Sequence, residues 1–477
     1  MVVYLILMAV VLFLTVILVR ALLFRPYPEP EIISGDIAVK EEKIVRDMSD
    51  MIRIRTVSYQ DRSDVDQEEF EKFRELLSER FPLVHQKCSR LRLGDTGLLY
   101  CLKGKSAKEP SVLMAHYDVV PVEEKDWDRP AFSGLVEDGY IWGRGTLDTK
   151  GTLCGIFEAM EQLLEQGFVP ENDIYLSFTG DEEVEGGSCP SIVSYMEENG
   201  IKPAFVLDEG GAVVENVFPG VKRPCAVVGI GEKRSMNVEL SLKSDGGHAS
   251  TPPTHSVLGQ LSRAIVRIEQ KPFRSQFVRP VKELFNTLGR HSNFGMKIIF
   301  ANLWCFQPLL NAYCKMAGGE MNALMRTTCA VTRMKGSKAF NVLPPVATAG
   351  LNLRLLGEDT PEYAVNYLKK VIANDKIEIT VQHAMYESGY SDTSCPQWEV
   401  LKQVIHTTWP DAIVSPYLMM ACSDSGYYGR ITDKIYKFSA MALSKEERGM
   451  IHGNNERIPV TTLIKTVQFY VRLIQNL

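Results

Sequence analysis

The sequence predicts an α/β protein with a second, smaller α+β unit set into it and one membrane helix ahead of both. Three observations lead there. Residues 2–19 carry no charge. Between about residues 110 and 210 apolar strand-like runs alternate with amphipathic helical ones. From residue 236 the pattern changes to period-two strands separated by two helices.

The N-terminal run VVYLILMAVVLFLTVILV continues as ALLF after Arg20, enough for a hydrocarbon core of about 30 Å. A signal peptide would place its basic residues first and small residues at a cleavage site. Here Arg20 and Arg25 follow the apolar run and no Ala-x-Ala comes after it, so residues 1–25 read as an uncleaved, single-pass anchor. The two arginines favour a cytoplasmic catalytic domain, with only the N-terminal amine opposing them, and the side of the membrane stays open. Residues 26–39, rich in proline and acids, read as a linker.

Beyond the linker, SVLMAHYDVV, GTLCGIFEAMEQLLEQG, DIYLSFTGDEE, PSIVSYMEENG and PAFVLDEG read as strand, helix, strand, helix, strand. In open α/β sheets ligands bind beyond the carboxyl ends of the strands, which is where His116, Asp118, Glu182, Glu183 and Asp208 fall. Residues 40–235 form the first part of this domain and 385–477 the second, ending on the amphipathic helix TTLIKTVQFYVRLIQNL. Residues 236–384 form the smaller unit, interrupted at 276–320 by an apolar, aromatic-rich helical insertion containing FANLWCFQPLLNAYCKMA. The insertion reads either as extra core or as the wall of a substrate channel or partner surface.

Composition narrows the functional classes. With 45% hydrophobic and 23% charged residues in 477, the chain is an ordinary globular protein large enough for two domains. A net charge of -6 gives no basic surface for nucleic acid. The ten cysteines include no Cys-x-x-Cys pair, and several sit in apolar runs, so most read as buried free thiols.

Five motifs hold the chemistry: AHYDVVP at 115–121, GRGTLDTKG at 143–151, TGDEEVEGG at 179–187, VLDEG at 206–210 and IHGNNER at 451–457. Taken singly, a histidine is more often a surface or core residue, and an acidic pair more often a solvated face. Together they put two histidines and several carboxylates at the ends of buried strands, where uncompensated charge is costly. That is a nitrogen and oxygen ligand set for Zn²⁺ or a similar divalent ion, with no sulfur ligand implied.

In order and spacing these motifs resemble the co-catalytic dizinc peptidases, which include carboxypeptidase S, aminoacylase and glutamate carboxypeptidase. The likeness runs from about residue 40 to the C-terminus and is nearest to the carboxypeptidase S and N-fatty-acyl-amino-acid hydrolase branch. It implies a catalytic domain with a central mixed sheet and helices on both faces, plus an inserted lid of the kind through which relatives dimerise. It also implies two Zn²⁺ ions, or Co²⁺ or Mn²⁺ in their place. His116, Asp148 and Asp208 would hold one and Asp148, Glu183 and His452 the other. Asp118 would fix the tautomer of His116, and Glu182 would act as general base on a zinc-activated water. His248 matches a donor to the developing oxyanion, and Asn341, Arg354 and Asp424 match positions around the substrate carboxylate. The expected activity is amide hydrolysis of N-acyl amino acids or small peptides, with a homodimer possible.

The pattern departs from the family at ACSDSGYYG, where Gly426 and Tyr427 replace the usual basic residue, and at Thr146 and Glu185. Two other classes compete. A dipeptidase or aminopeptidase would act on free N-termini, and an enzyme of the same fold could condense fatty acid with amino acid. A non-catalytic, membrane-tethered binding protein would show a broken ligand set or a replaced Glu182, and neither is present.

Overall fold

The computed structural model describes residues 1–33, 35–216, 218–385 and 389–477. Ser34 of the linker and residues 386–388 at the start of the C-terminal part lie outside them. An eight-stranded mixed sheet forms the larger unit. Its strands run in the order Ser89–Leu93, Gly97–Leu102, Asn172–Thr179, Ser106–His116, Phe205–Val214, Ile435–Leu443, Cys225–Glu232 and Ile413–Met419. The four central strands are mutually parallel, and such strands, covered on both faces, read as continuous apolar runs rather than alternating ones. Residues 111–116 are all buried.

Helix Lys150–Glu165 crosses the sheet and packs on the C-terminal helix Val460–Asn476. Phe157 stacks between Phe81 and Phe178 at centroid distances of 4.9 and 5.0 Å and meets the edge of Tyr100 at 5.6 Å. These rings tie the helix to two strands and to the end of helix Gln67–Arg80. The position of the helix matters because the GRGTLDTKG loop leads into it.

The chain leaves the large sheet between Glu232 and Arg234 for a four-stranded antiparallel sheet, ordered Thr328–Lys335, Val346–Leu355, Arg234–Lys243 and Glu378–Ala384. Helices Val257–Gln270 and Pro361–Ile372 cover it, with a separate apolar core around Val238, Leu240, Leu261, Leu351 and Leu368.

Two features differ from the sequence reading. The insertion between helix Val257–Gln270 and strand Thr328–Lys335 does supply extra core, but to the large unit rather than to the small one within which it was read. Its helix Arg279–His291 lies along strand Ile413–Met419, and Leu284, Phe285, Leu288 and Phe300 belong to the large core. The reason is the edge of the large sheet, which needs an apolar cover. Residues 26–39, read as a spacer, are strapped to the body instead. Arg290 lies over the rings of Phe24 and Tyr27, Glu29 pairs with Arg223 at 2.6 Å, and Thr407 Oγ1 accepts from the Ile33 amide.

Helix Val2–Leu23 has 22 residues and is about 33 Å long at 1.5 Å per residue, so by length and composition it could cross a membrane. Its C-terminal half docks on the insertion: Arg20 donates to Ala301 O and Asn302 Oδ1, Asn302 donates to Ile17 O, and Phe13 meets Trp304 edge-on. All ten cysteines are free thiols.

Truncating Phe157 to Ala empties the centre of the aromatic stack and is expected to destabilise the fold by about 3–5 kcal/mol. Denaturant unfolding of the two proteins measures it, and a cost near that of a surface substitution would show that the ring cluster does not hold this helix.

Candidate metal centre

His116 ends its strand almost fully buried. Its Nδ1 lies 3.0 Å from the Asp118 carbonyl and 3.3 Å from Asp118 Oδ1, both acceptors. Nδ1 therefore carries a proton, and Nε2 is the nitrogen that faces outward. Opposite Nε2 stand Asp148 Oδ1 at 3.0 Å and Glu209 Oε1 at 3.5 Å.

Asp118 does more than hold the imidazole. Fully buried, its carboxylate accepts from the amides of Glu182 and Glu183 at 3.2 and 3.1 Å and from Ser58 Oγ at 2.8 Å. One side chain thus orients His116 and sets the turn that presents both glutamates. His452 approaches from the exposed side, with Nε2 3.0 Å from Asp148 Oδ2 and 3.0 Å from Glu183 Oε2. The two oxygens of Asp148 face two different histidines.

Burial and mutual charge explain the protonation behaviour. Burial pushes the carboxyls of Glu182 and Glu209 well above the usual range, and that of Glu183 upward. Burial acts the same way on Asp148, but hydrogen bonds from His116 and His452 outweigh it and hold the group below its ordinary value. Hydrogen bonds to Asp148 and Glu183 lift His452 to about 10. His116 is raised well above normal, because Glu209, Asp118 and Asp148 overcome the opposing effect of burial. Single donor atoms of His116, Asp148 and Glu183, and likewise of His116, Glu182 and Glu209, lie within 4.8 Å of one another. Imidazole nitrogens and carboxylate oxygens converging this closely fit a divalent ion.

Two motifs meet in a clamp behind the cluster. Arg144 Nη1 donates to Glu456 Oε2 at 2.7 Å and Nη2 to Gly453 O at 2.8 Å, while Glu456 Oε1 accepts from the amides of Gly145 and Leu147 at 3.0 and 2.8 Å. Both side chains are buried. The loop leading to Asp148 is thereby bound to the loop carrying His452.

Asp208 was expected to ligate with His116. Glu209, the next residue, stands 3.5 Å from His116 Nε2, while Asp208 Oδ2 accepts from the Ser425 amide at 3.0 Å. Asp424, expected around the substrate carboxylate, is buried and accepts from Thr179 Oγ1 at 2.6 Å, and burial lifts its carboxyl to about 8. The small unit's candidates do not join the cluster. His248 and Asn341 are exposed on the ribbon formed by Gly247–His248 and Val342–Leu343 and at its edge. His248 Nδ1 accepts from the Ser250 amide at 3.1 Å, which leaves an Nε2–H donor. Arg354 reaches Cys422 Sγ at 3.0 Å, where the two units adjoin.

Sequence reasoning missed Glu209, the Arg144–Glu456 pair and Lys233. The first was adjacent to a chosen residue, and the pair lay inside two quoted motifs with nothing in their spacing to join them. Lys233 is fully buried between the two sheets, donates to Thr328 Oγ1 at 3.2 Å, and is lowered to about 7 by burial and by the charge of Arg354. Glu185, noted as extra charge, faces His383 of the small unit at 3.0 Å.

The model of peptidase family M20/M25/M40 matches residues 112–476. The N-fatty-acyl-amino acid synthase/hydrolase PM20D1 of Xenopus tropicalis is 35% identical over 477 residues, covering 97% of this chain and 93% of that one. The protein named "Probable carboxypeptidase S-like 2" of Dictyostelium discoideum is 34% identical over 462 residues, covering 94% and 89%. Among solved structures, the M20 family metallo-carboxypeptidase Sso-CP2 from Sulfolobus solfataricus shares the fold with a TM-score of 0.64 at 19% identity, covering 91% of this chain and 99% of that one.

Replacing Glu456 by Ala strands the buried Arg144 guanidinium and is expected to cost about 3–5 kcal/mol of stability, with bound metal falling in parallel. The denaturation midpoint reads the first and elemental analysis the second. An unchanged midpoint would refute the clamp.

Proposed function

The chain belongs to peptidase family M20/M25/M40 and is a metal-dependent hydrolase of amide bonds, and on that premise we propose that it cleaves N-acyl amino acids with lipophilic acyl groups while tethered to a membrane by Val2–Leu23. The observation that carries the reading is Asp148, whose two oxygens face His116 and His452 separately, with Glu182 in the same cluster. Similarity over nearly the whole chain to a protein named as an N-fatty-acyl-amino acid synthase/hydrolase supports the substrate class.

In this reading His116, Asp148 and Glu209 hold one ion and Asp148, Glu183 and His452 the second. Zinc suits the donors best, and cobalt or manganese accept the same set. Such ions, when bound, lower the pKa of water to about 7 and polarise a carbonyl. The rest falls to the protein. Asp118 fixes the tautomer of His116 and, through the two backbone amides, the direction of Glu182. Glu182, whose carboxyl is raised by burial, takes a proton from the attacking water and passes it to the leaving amine. His248 offers its Nε2–H to the developing oxyanion, and Asn341 and Arg354 receive the substrate carboxylate. These last three roles rest on the motif likeness and on the free donors that the side chains present.

Hydrolysis of a panel of N-acyl amino acids and dipeptides by the zinc-loaded full chain tests the activity. Glu182→Gln is expected to abolish turnover while retaining both metals. Turnover surviving in this variant, or a preference for dipeptides with free N-termini, would overturn the assignment.

The ligand set is tested separately by metal content. Glu209→Gln is expected to lower bound zinc by roughly half, whereas Asp208→Asn leaves it unchanged. The opposite pattern would return the ligand role to Asp208.

A further inference from the structure

A cavity of about 260 Å³ lies between the large sheet and the insertion. Its floor is the backbone of Gly210 and Gly211, and its far wall is made by Leu284, Leu288, Met321 and Leu324 of the insertion. We propose that this cavity is the acyl-chain site, receiving the hydrocarbon tail of an N-acyl amino acid whose amide is held at the metal cluster; this rests on the hydrolase reading above.

Position is the first argument. Gly210 directly follows Glu209, and Ile451, also on the lining, directly precedes His452. The lining therefore includes the chain neighbours of Glu209 and His452, one from each half of the proposed ligand set.

Chemistry is the second. The lining is largely aliphatic and aromatic, and its charged members, Glu320 and Arg448, face each other at 3.9 Å. Polar groups that would bind a peptide backbone or a charged side chain are scarce along the wall. An apolar chain suits such a space, whereas water placed there would find few partners. Voids larger than a water molecule are rare in close-packed interiors, and this one is lined by the chain neighbours of Glu209 and His452.

Construction is the third. Both positions between Glu209 and Ala212 are glycine. A Cβ would lie 1.7 Å from Val227 O at Gly211 and 2.7 Å from Met419 Sδ at Gly210, so glycine here permits the close approach of the neighbouring strands beneath the cavity. The wall above comes wholly from the segment that interrupts the small unit in sequence but packs on the large one in space. The insertion thus creates a site that the bare sheet edge would lack.

The test compares N-acetyl, N-octanoyl and N-oleoyl derivatives of one amino acid, using the full zinc-loaded chain and two variants. Met321→Trp fills the cavity from a half-buried position. It is expected to lower kcat/KM for the oleoyl substrate by at least about tenfold and leave the acetyl substrate within about twofold. Leu324→Ala enlarges the space and is expected to shift preference toward the longer chain. Binding of the fluorescent fatty acid cis-parinaric acid gives a readout independent of turnover, present in the parent and lost in Met321→Trp. Parallel loss for acetyl and oleoyl substrates, or no change in either with parinaric binding intact, overturns the assignment. If the parent hydrolyses no N-acyl amino acid at any length, the hydrolase reading fails, and parinaric binding alone then decides whether the cavity takes an acyl chain.

Discussion

Four acidic side chains, Asp148, Glu182, Glu183 and Glu209, converge on two imidazoles at the end of a buried parallel sheet, and the surrounding structure is organised around keeping them there. Taking a carboxylate out of water is costly unless something positive compensates it. The protein compensates one of the four fully: Asp148 accepts from both histidines and stays ionised, while burial drives the other three toward protonation. A cluster with this imbalance has excess acceptor capacity, and a divalent cation would supply the missing charge, which among the described residues no lysine or arginine beside the cluster supplies. The mean fold of the chain, with strands ending together at one edge, is what allows residues more than three hundred positions apart to share a carboxylate.

Holding that geometry is delegated to groups outside the cluster. Asp118 controls His116 through the ring nitrogen, with its carbonyl at 3.0 Å and its carboxylate at 3.3 Å, and the two glutamates through their backbone amides, so three side-chain directions depend on one residue whose carboxylate is itself held by Ser58. The Arg144–Glu456 clamp performs the same service for Asp148 and His452, acting beside the antiparallel pairing of Tyr140–Trp142 with Arg457–Pro459 that joins their two loops. His452 itself adopts a left-handed backbone at φ 58°, a conformation that costs a non-glycine residue energy and persists when its surroundings over-determine it. The adjoining Gly453 carbonyl, bound by Arg144, is part of that surrounding.

The sequence made the alternation of strands and helices legible, because fully buried parallel strands give unbroken apolar runs such as SVLMA and IYLSF. It made the metal-binding motifs legible too, through their glycine-flanked acids. It did not reveal which of two adjacent acids, Asp208 or Glu209, faces His116. That choice is a one-residue phase, and in this strand the pairing slips between Lys437 and Phe438 opposite Asp208 and Gly211. Local pattern cannot resolve an irregularity created by a partner strand more than two hundred residues away. The insertion misled for a related reason: its apolar face was visible, but whether it met the small sheet or the large one depended on an exposed edge that no periodicity marks. The linker looked free because proline and glutamate favour solvent, yet Arg290 and Arg223 capture its aromatic and acidic side chains.

The insertion also determines where the N-terminal helix sits. An arginine near the end of an apolar helix has an unfavourable place in hydrocarbon unless its donors are satisfied, and Arg20 finds Ala301 O and Asn302 Oδ1, both on the insertion. Asn302 in turn reaches back to Ile17 O, and Trp304 packs against Phe13. These contacts fix the helix to the same segment that walls the cavity beside the metal cluster, while Trp304, Leu309, Tyr313 and Met316 leave an apolar surface on that segment exposed next to the helix. Docked in this way, the helix keeps a fixed place against the insertion rather than hanging on a free linker. The same hydrophobic insertion then accounts for three features of the fold: a covered sheet edge, an apolar cavity and a seat for the N-terminal apolar helix.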